Sequence, residues 1–193
     1  MDNLPASISA LASASPRERE QAANHLFRIG CTLAEPVLRN WFADREFRAL
    51  ARTGSSLLTV GVAVRPSTFE AIRHHFGQAP LSEVPDQDVL EFELTFTHGV
   101  RLDILTCKDP EGNGAIARYL RRFGEGVQQV ECDVRNVERA TEILRSRFKI
   151  EPLYPQSREG ADRTRVNFFL VPLPDGSKIL IELVEVRGSK KGR

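Results

Sequence analysis

The sequence predicts an α+β chain in which two βαβββ modules face one cleft, preceded by a small all-helical extension. Three observations carry that prediction. Near the C-terminus, Lys178–Val186 (KILIELVEV) reads as a strand of β-branched and aliphatic residues with one carboxylate, Glu182, set among them. The succession of strand and helix patterns in residues 57–125 recurs in residues 126–186, and such self-similarity outranks any local propensity. Residues 15–50 carry helical periodicity instead.

Composition narrows the class. The chain has 193 residues, enough for one or two domains with a real core. Hydrophobic residues make up 41% and charged residues 27%, and the net charge of +1 gives no electrostatic reason to expect nucleic acid or a membrane surface as partner. No apolar run reaches membrane-span length. The first residues lack a basic n-region and an apolar core, so no signal peptide is expected. Three widely spaced cysteines, Cys31, Cys107 and Cys132, argue against a disulfide framework and for a reducing compartment, the cytoplasm.

In chain order, residues 1–14 are small and polar and read as a loose N-terminus. Ser15-Pro16-Arg17-Glu18 is a helix start: a capping hydroxyl, proline at the first helical position and an acid three residues on. The helix puts Ala22, Ala23, Leu26, Phe27 and Ile29 on one side and is expected to end at Gly30. Thr32–Glu35 repeats the cap, and a second helix carries Leu33, Val37, Leu38, Trp41 and Phe42. A third begins at Asp44 and buries Phe47 and Leu50. Residues 15–50 resemble a single HEAT-type repeat, which cannot bury its apolar face alone. It is expected to pack on the following domain or on a second chain, which leaves a homodimer open.

Residues 51–56 (ARTGSS) read as a linker. The first module, residues 57–125, follows: strand Leu57–Val64, helix Arg65–Phe76 closed by Gly77, strand Val89–Phe96, a turn at His98-Gly99, strand Val100–Leu105 and helix Ala115–Phe123. The second, residues 126–186, repeats it with strand Gly126–Val134, helix Asn136–Phe148, strand Thr164–Val171 and the last strand. Residues 187–193 read as a basic tail that is expected to be disordered.

Alternation along the strands then locates a hollow, because successive side chains leave a strand on opposite faces. Val60, Val62, Leu90, Phe92, Leu102, Ile104, Val130, Cys132, Ile181 and Leu183 fall on core faces. The opposite faces gather Thr59, Glu91, Asp103, Gln129 and Glu182, and Asn167 joins them because Val166-Asn167-Phe168 lines up with Leu90-Glu91-Phe92. Glu93, Glu131 and Asp133 read as solvated sheet faces. Glu182 differs because Leu180 and Val184, on its own face, are apolar, and a carboxylate among apolar side chains requires a cation, a metal or donors.

The runs TVGVAV, VPDQDVLEF, RLDIL, GEGVQQVECDV, TRVNFF and ILIELVE together resemble the vicinal oxygen chelate superfamily, and within it the methylmalonyl-CoA epimerases. The resemblance covers about residues 57–186. It implies the superfamily's two-module cleft and a divalent metal held by one side chain from each of four strands. Those positions carry Thr59, Asp103, Gln129 and Glu182 here, so both of the family's histidines are replaced. Asp103, Gln129 and Glu182 form an all-oxygen set that suits Mg²⁺ or Mn²⁺ better than zinc or iron; no cofactor at all is the other reading. The resemblance also implies that Glu91 moves the proton on the carbon next to a thioester, with Glu182 as opposing acid. Where the family has a glycine-rich loop this chain has Ser157–Arg163 (SREGADR); Arg158, Arg163 and Arg165 are candidate contacts for an anionic substrate, and Asn167 is a further candidate substrate contact.

Two functions follow as expectations. One is an epimerase or isomerase working through an enolate on a small acid or acyl-thioester. The other is a degenerate, metal-free binding domain without turnover, or an interaction protein that docks a partner through the helical extension.

Overall fold

The computed structural model describes residues 3–52, 57–85 and 88–186, so the basic tail and most of the 51–56 segment lie outside it. Seven strands run in chain order as β1 (Leu58–Ala63), β2 (Val89–Thr95), β3 (Arg101–Cys107), β4 (Gly126–Asp133), β5 (Arg158–Glu159), β6 (Arg165–Pro172) and β7 (Lys178–Glu185). They form one mixed sheet in the order β2-β3-β1-β4-β7-β6-β5. Each module is internally alike: β1 lies parallel to β3 and β3 antiparallel to β2, while β4 lies parallel to β7 and β7 antiparallel to β6. The modules join where β1 and β4 run antiparallel, with a register shift between Gly61 and Val62.

The first module is one strand short of the expected three after its helix. Between Gly77 and Val89 no described residue is in a strand, while the second module keeps its counterpart, the two-residue β5. One bond of that ladder remains in the first module, where Ser82 N–H donates to the Glu91 carbonyl of β2 at 3.0 Å.

Helices cover the convex face. α4 (Pro66–His75) and α6 (Val137–Phe148) are the crossover helices of the two modules, each turning an apolar side inward through Phe69 and Ile72, and through Val137, Ala140, Ile143 and Leu144. Between them lies α2 (Pro16–Ala43), which touches β1, β3, β4 and β7. Its Trp41 is fully buried, edge-on to Phe47 of α3 (Arg45–Leu50) and to Phe169 of β6. The helical extension thus completes the core of the sheet.

Two expectations for this extension are corrected. The two helices read on either side of Gly30 are one helix of 28 residues. Gly30 sits where α2 comes closest to β1: a Cβ placed there would lie 2.5 and 2.6 Å from the Val60 methyls. The glycine marks a close approach, which a sequence pattern cannot tell from a helix stop. Residues 1–14, read as loose, contain α1 (Leu4–Ala10), capped by the Asn3 side chain and anchored by the buried Ile8, with buried Leu11 just after it.

The start of the 51–56 segment is also tied down. Ala51 bridges to Val134, and Arg52 N–H donates to the Asp133 carbonyl at 3.1 Å. Arg147 of α6 pairs with Asp44 at 2.6 Å, and both Arg139 and Arg147 pair with Glu46, tying α3 to the second module. Among the described residues no helix is long and apolar enough to cross a membrane, and all three cysteines are free.

Candidate functional site

The concave face of the sheet encloses a cavity of about 410 Å³. Its floor is polar because alternate residues of four strands point into it: Glu91 and Glu93 from β2, Arg101 and Asp103 from β3, Gln129, Glu131 and Asp133 from β4, Glu182 from β7. Its walls are apolar, with Val84, Val89, Ile116 of α5 (Ala115–Phe123), Leu153, Phe168, Leu180 and Val184. Loops from both modules meet at one side, where Glu83 N–H donates to the Asp162 carboxylate and Asp162 N–H to the Glu83 carbonyl, each at 2.9 Å.

Register sets the floor. Gly61 is the Cα partner of both Asp103 and Gln129. A Cβ at Gly61 would stand 2.5 Å from the Gln129 Cγ and 3.1 Å from the Leu105 Cδ1, so the missing side chain makes room for Gln129. On the neighbouring pair Glu131 lies opposite Glu182. Gln129 Nε2 donates to Glu182 Oε2 at 2.7 Å and to Glu131 Oε1 at 3.2 Å. At one end Arg101 is held by Glu93 at 2.8 Å and by Asp133 at 3.3 Å.

Crowding four carboxyls into a partly dry cavity makes their ionisation costly, first through lost hydration and then through mutual repulsion. Burial, with the charges of Glu131 and Asp162 added, pushes Glu91 up to about 7. Burial pushes Glu131 to about 7 as well, against the pull of the Gln129 amide and Arg101. Asp103 is raised well above the ordinary carboxylate range by burial and by Glu131, Glu91 and Glu182. Glu182 is raised likewise by burial, Glu131 and Glu91, while Arg158 and Gln129 pull it down. These groups titrate as a set rather than singly.

Five of the candidate residues read from sequence therefore line one cavity: Glu91, Asp103, Gln129, Arg158 and Glu182. Four do not. Thr59 is 1% exposed, outside the cavity lining, and its hydroxyl has no partner among the described residues. Asn167 is fully buried on the other face of β6, its amide near the Thr141 hydroxyl and the Tyr154 carbonyl, both at 3.4 Å. Strand alternation explains the misplacement: Val166 and Phe168 face the cavity, so Asn167 cannot. Arg165 turns into a separate surface groove, bonded to Ser157 and paired with Glu138. Arg163 is largely exposed and 3.8 Å from Glu83.

One residue of the site was missed. Glu131, taken for a solvated position, is on the face that alternation gave for Gln129 and so was legible. Of the three arginines read as anion contacts, Arg158, on the two-residue β5, is the one that lines the cavity.

The residues present do not fit the ion of the resembling family. Among the described residues no three His, Cys, Asp or Glu side chains are gathered to hold a metal ion. Gln129 presents its NH₂ to two carboxyls, which is a donor's arrangement and not a ligand's. Thr59 stands where the first imidazole is expected and lies outside the cavity lining.

Comparisons with known proteins agree on the fold. No protein-family model matches the chain, and no curated protein does. Among solved structures, methylmalonyl-CoA epimerase from Mycobacterium tuberculosis is 28% identical, with TM-score 0.53, over 70% of this chain and 93% of that one. A variant of the Streptomyces coelicolor methylmalonyl-CoA epimerase, in complex with 2-nitronate-propionyl-CoA, is 20% identical with TM-score 0.52, over 70% of this chain and 100% of that one. A methylmalonyl-CoA epimerase in complex with methylmalonyl-CoA and NH4+ is 23% identical with TM-score 0.52, over 72% and 96%. The chain has the fold of these epimerases, and the resemblance to the vicinal oxygen chelate superfamily holds at that level.

Proposed function

We propose that this protein is an epimerase or isomerase that works through an enolate on a small organic acid or its acyl-thioester. The observation that carries the reading is the pairing of Glu91 and Glu182 in one largely apolar cavity, from opposite modules and within electrostatic reach of each other. Glu91, poised near neutral pH, suits a general base, whose best pKa lies near the working pH. The likeness to solved methylmalonyl-CoA epimerases supports the same class.

In this reading the Glu91 carboxylate takes the proton from the carbon next to the carbonyl. The C–H electron pair moves into the carbon–carbon bond and the carbonyl pair onto oxygen, giving the enolate. Glu182, whose ionisation burial and the charges of Glu131 and Glu91 make costly, returns a proton to the same carbon from the other side, and the enolate electrons re-form the carbonyl. Asp103, whose ionisation burial and the charges of Glu131, Glu91 and Glu182 make costly, donates a hydrogen bond to the enolate oxygen in its protonated form, the role that a preorganised donor fills in such sites. No step is assigned to a metal.

A second reading, ligand binding without turnover, is favoured by one observation: Thr59 and Gln129 occupy both positions at which the family has imidazoles. Exchange of substrate hydrogen with heavy water separates the two. Uptake of deuterium at the carbon next to the carbonyl, lost in Glu91→Gln, supports the enzyme.

A further inference from the structure

We infer that Arg158 is the specificity-determining residue of the cavity and receives a carboxylate carried by the ligand. This deepens the reading above, on which it rests for the class of substrate, and it names the group that the site selects. The floor of the cavity is acidic, so an anionic ligand needs a cation there. Four arginines surround the site, and three are engaged. Arg101 is clamped between Glu93 and Asp133. Arg165 is turned away, onto Glu138 and Ser157. Arg163 points to solvent near Glu83.

Arg158 alone of the four has no ion pair with a described acidic residue. It lines the cavity, with its guanidinium 4.4 Å from the centre of the Tyr154 ring and 5.4 Å from that of Phe168. The two rings meet edge to face, with centroids 6.0 Å apart. The two rings hold the guanidinium at the cavity wall, and its N–H edge matches a carboxylate in bidentate fashion.

Position ties this cation to the chemistry. Phe168 is the register partner of Glu182, and Arg158 is close enough to lower that carboxyl's pKa. A carboxylate on Arg158 is thus within the length of a small acid from the Glu182 side chain. The adjoining walls, Leu153, Leu180 and Val184, suit a short apolar branch on that acid.

Binding to the full chain tests this without turnover, using methylmalonate, its diamide and inorganic phosphate as probes in titration calorimetry. Methylmalonate should bind, and Arg158→Gln should weaken it at least about tenfold, the usual loss for a hydrogen bond to a charged group. Arg158→Lys should recover only part of the affinity, because an ammonium neither stacks nor forks. The diamide should bind weakly and be indifferent to Arg158→Gln. Equal affinity of the wild type and Arg158→Gln for methylmalonate would overturn the assignment, as would a diamide that binds as well as the diacid. Phosphate displacing methylmalonate with similar affinity would overturn it too, in favour of a phosphate-bearing group. Because Arg158 is exposed, its variants should fold. Binding that depends on Arg158 without any hydrogen exchange would leave this inference standing and remove the enzyme reading alone.

Discussion

Gln129 and Glu182 meet across the β4–β7 pair, the amide Nε2 2.7 Å from the buried carboxyl. The contact carries a measurable consequence. Gln129→Met keeps the volume and removes the donor, leaving Glu182 and Glu131 without it. The expected cost is about 1–3 kcal/mol, the range for a buried polar group left unsatisfied. Denaturant unfolding measures it, and an unchanged midpoint would mean that solvent replaces the amide.

The raised carboxyls make stability depend on pH with a definite sign. Glu91 and Glu131 have folded-state pKa values near 7 against an ordinary value of 4.5. Between those values the folded state binds more protons than the unfolded one. This contribution therefore falls as pH rises through the window and stays low above it. The melting temperature should be higher at pH 5 than at pH 8. Glu131→Gln, which removes one charge from the set, should raise stability at pH 8 and change it little at pH 5. A Glu131→Gln protein less stable than wild type at pH 8 would contradict this.

Gly30→Ala tests the long helix. Alanine in a helix interior gains up to about 1 kcal/mol over glycine. Here the added Cβ meets the Val60 methyls at 2.5 and 2.6 Å, and overpacking of a tight core costs about 1–3 kcal/mol. The expected result is net destabilisation in thermal unfolding. A gain would mean that α2 and β1 have more space between them than the fold requires.

Much of this architecture was legible beforehand because it rests on periodicity. The core faces of β1, β3, β4 and β7 follow from alternation, and Glu91, Asp103, Gln129 and Glu182 follow with them. What escaped is set by tertiary contact. Gly30 reads as a helix end until Val60 is seen against it. Asn167 was placed in the hollow by aligning the two modules, although its own neighbours Val166 and Phe168 occupy that face. Arg158 and Arg165 differ only in what surrounds them: two aromatic rings for one, Glu138 and Ser157 for the other.

Metal dependence is open to a direct check. Because Gln129 offers its NH₂ to the cavity carboxyls, millimolar Mg²⁺ or Mn²⁺ is expected to leave the melting curve unchanged. A dose-dependent rise, the signature of an ion bound to the native state, that disappears in Glu182→Gln would instead restore Asp103, Gln129 and Glu182 as ligands.

The central claim is that Glu91 moves a proton at a carbon next to a carbonyl, and hydrogen exchange reads that event directly. Acyl-thioesters and 2-oxo acids incubated with the protein in heavy water are followed by mass spectrometry or proton NMR. The account predicts deuterium uptake at that carbon for at least one of them. Glu91→Gln should slow it by about a hundredfold or more, the usual loss with a general base, while the fold persists, since Phe92 and Leu94 keep the core face of β2. Ligand binding without exchange, or exchange at the same rate in Glu91→Gln, would contradict it.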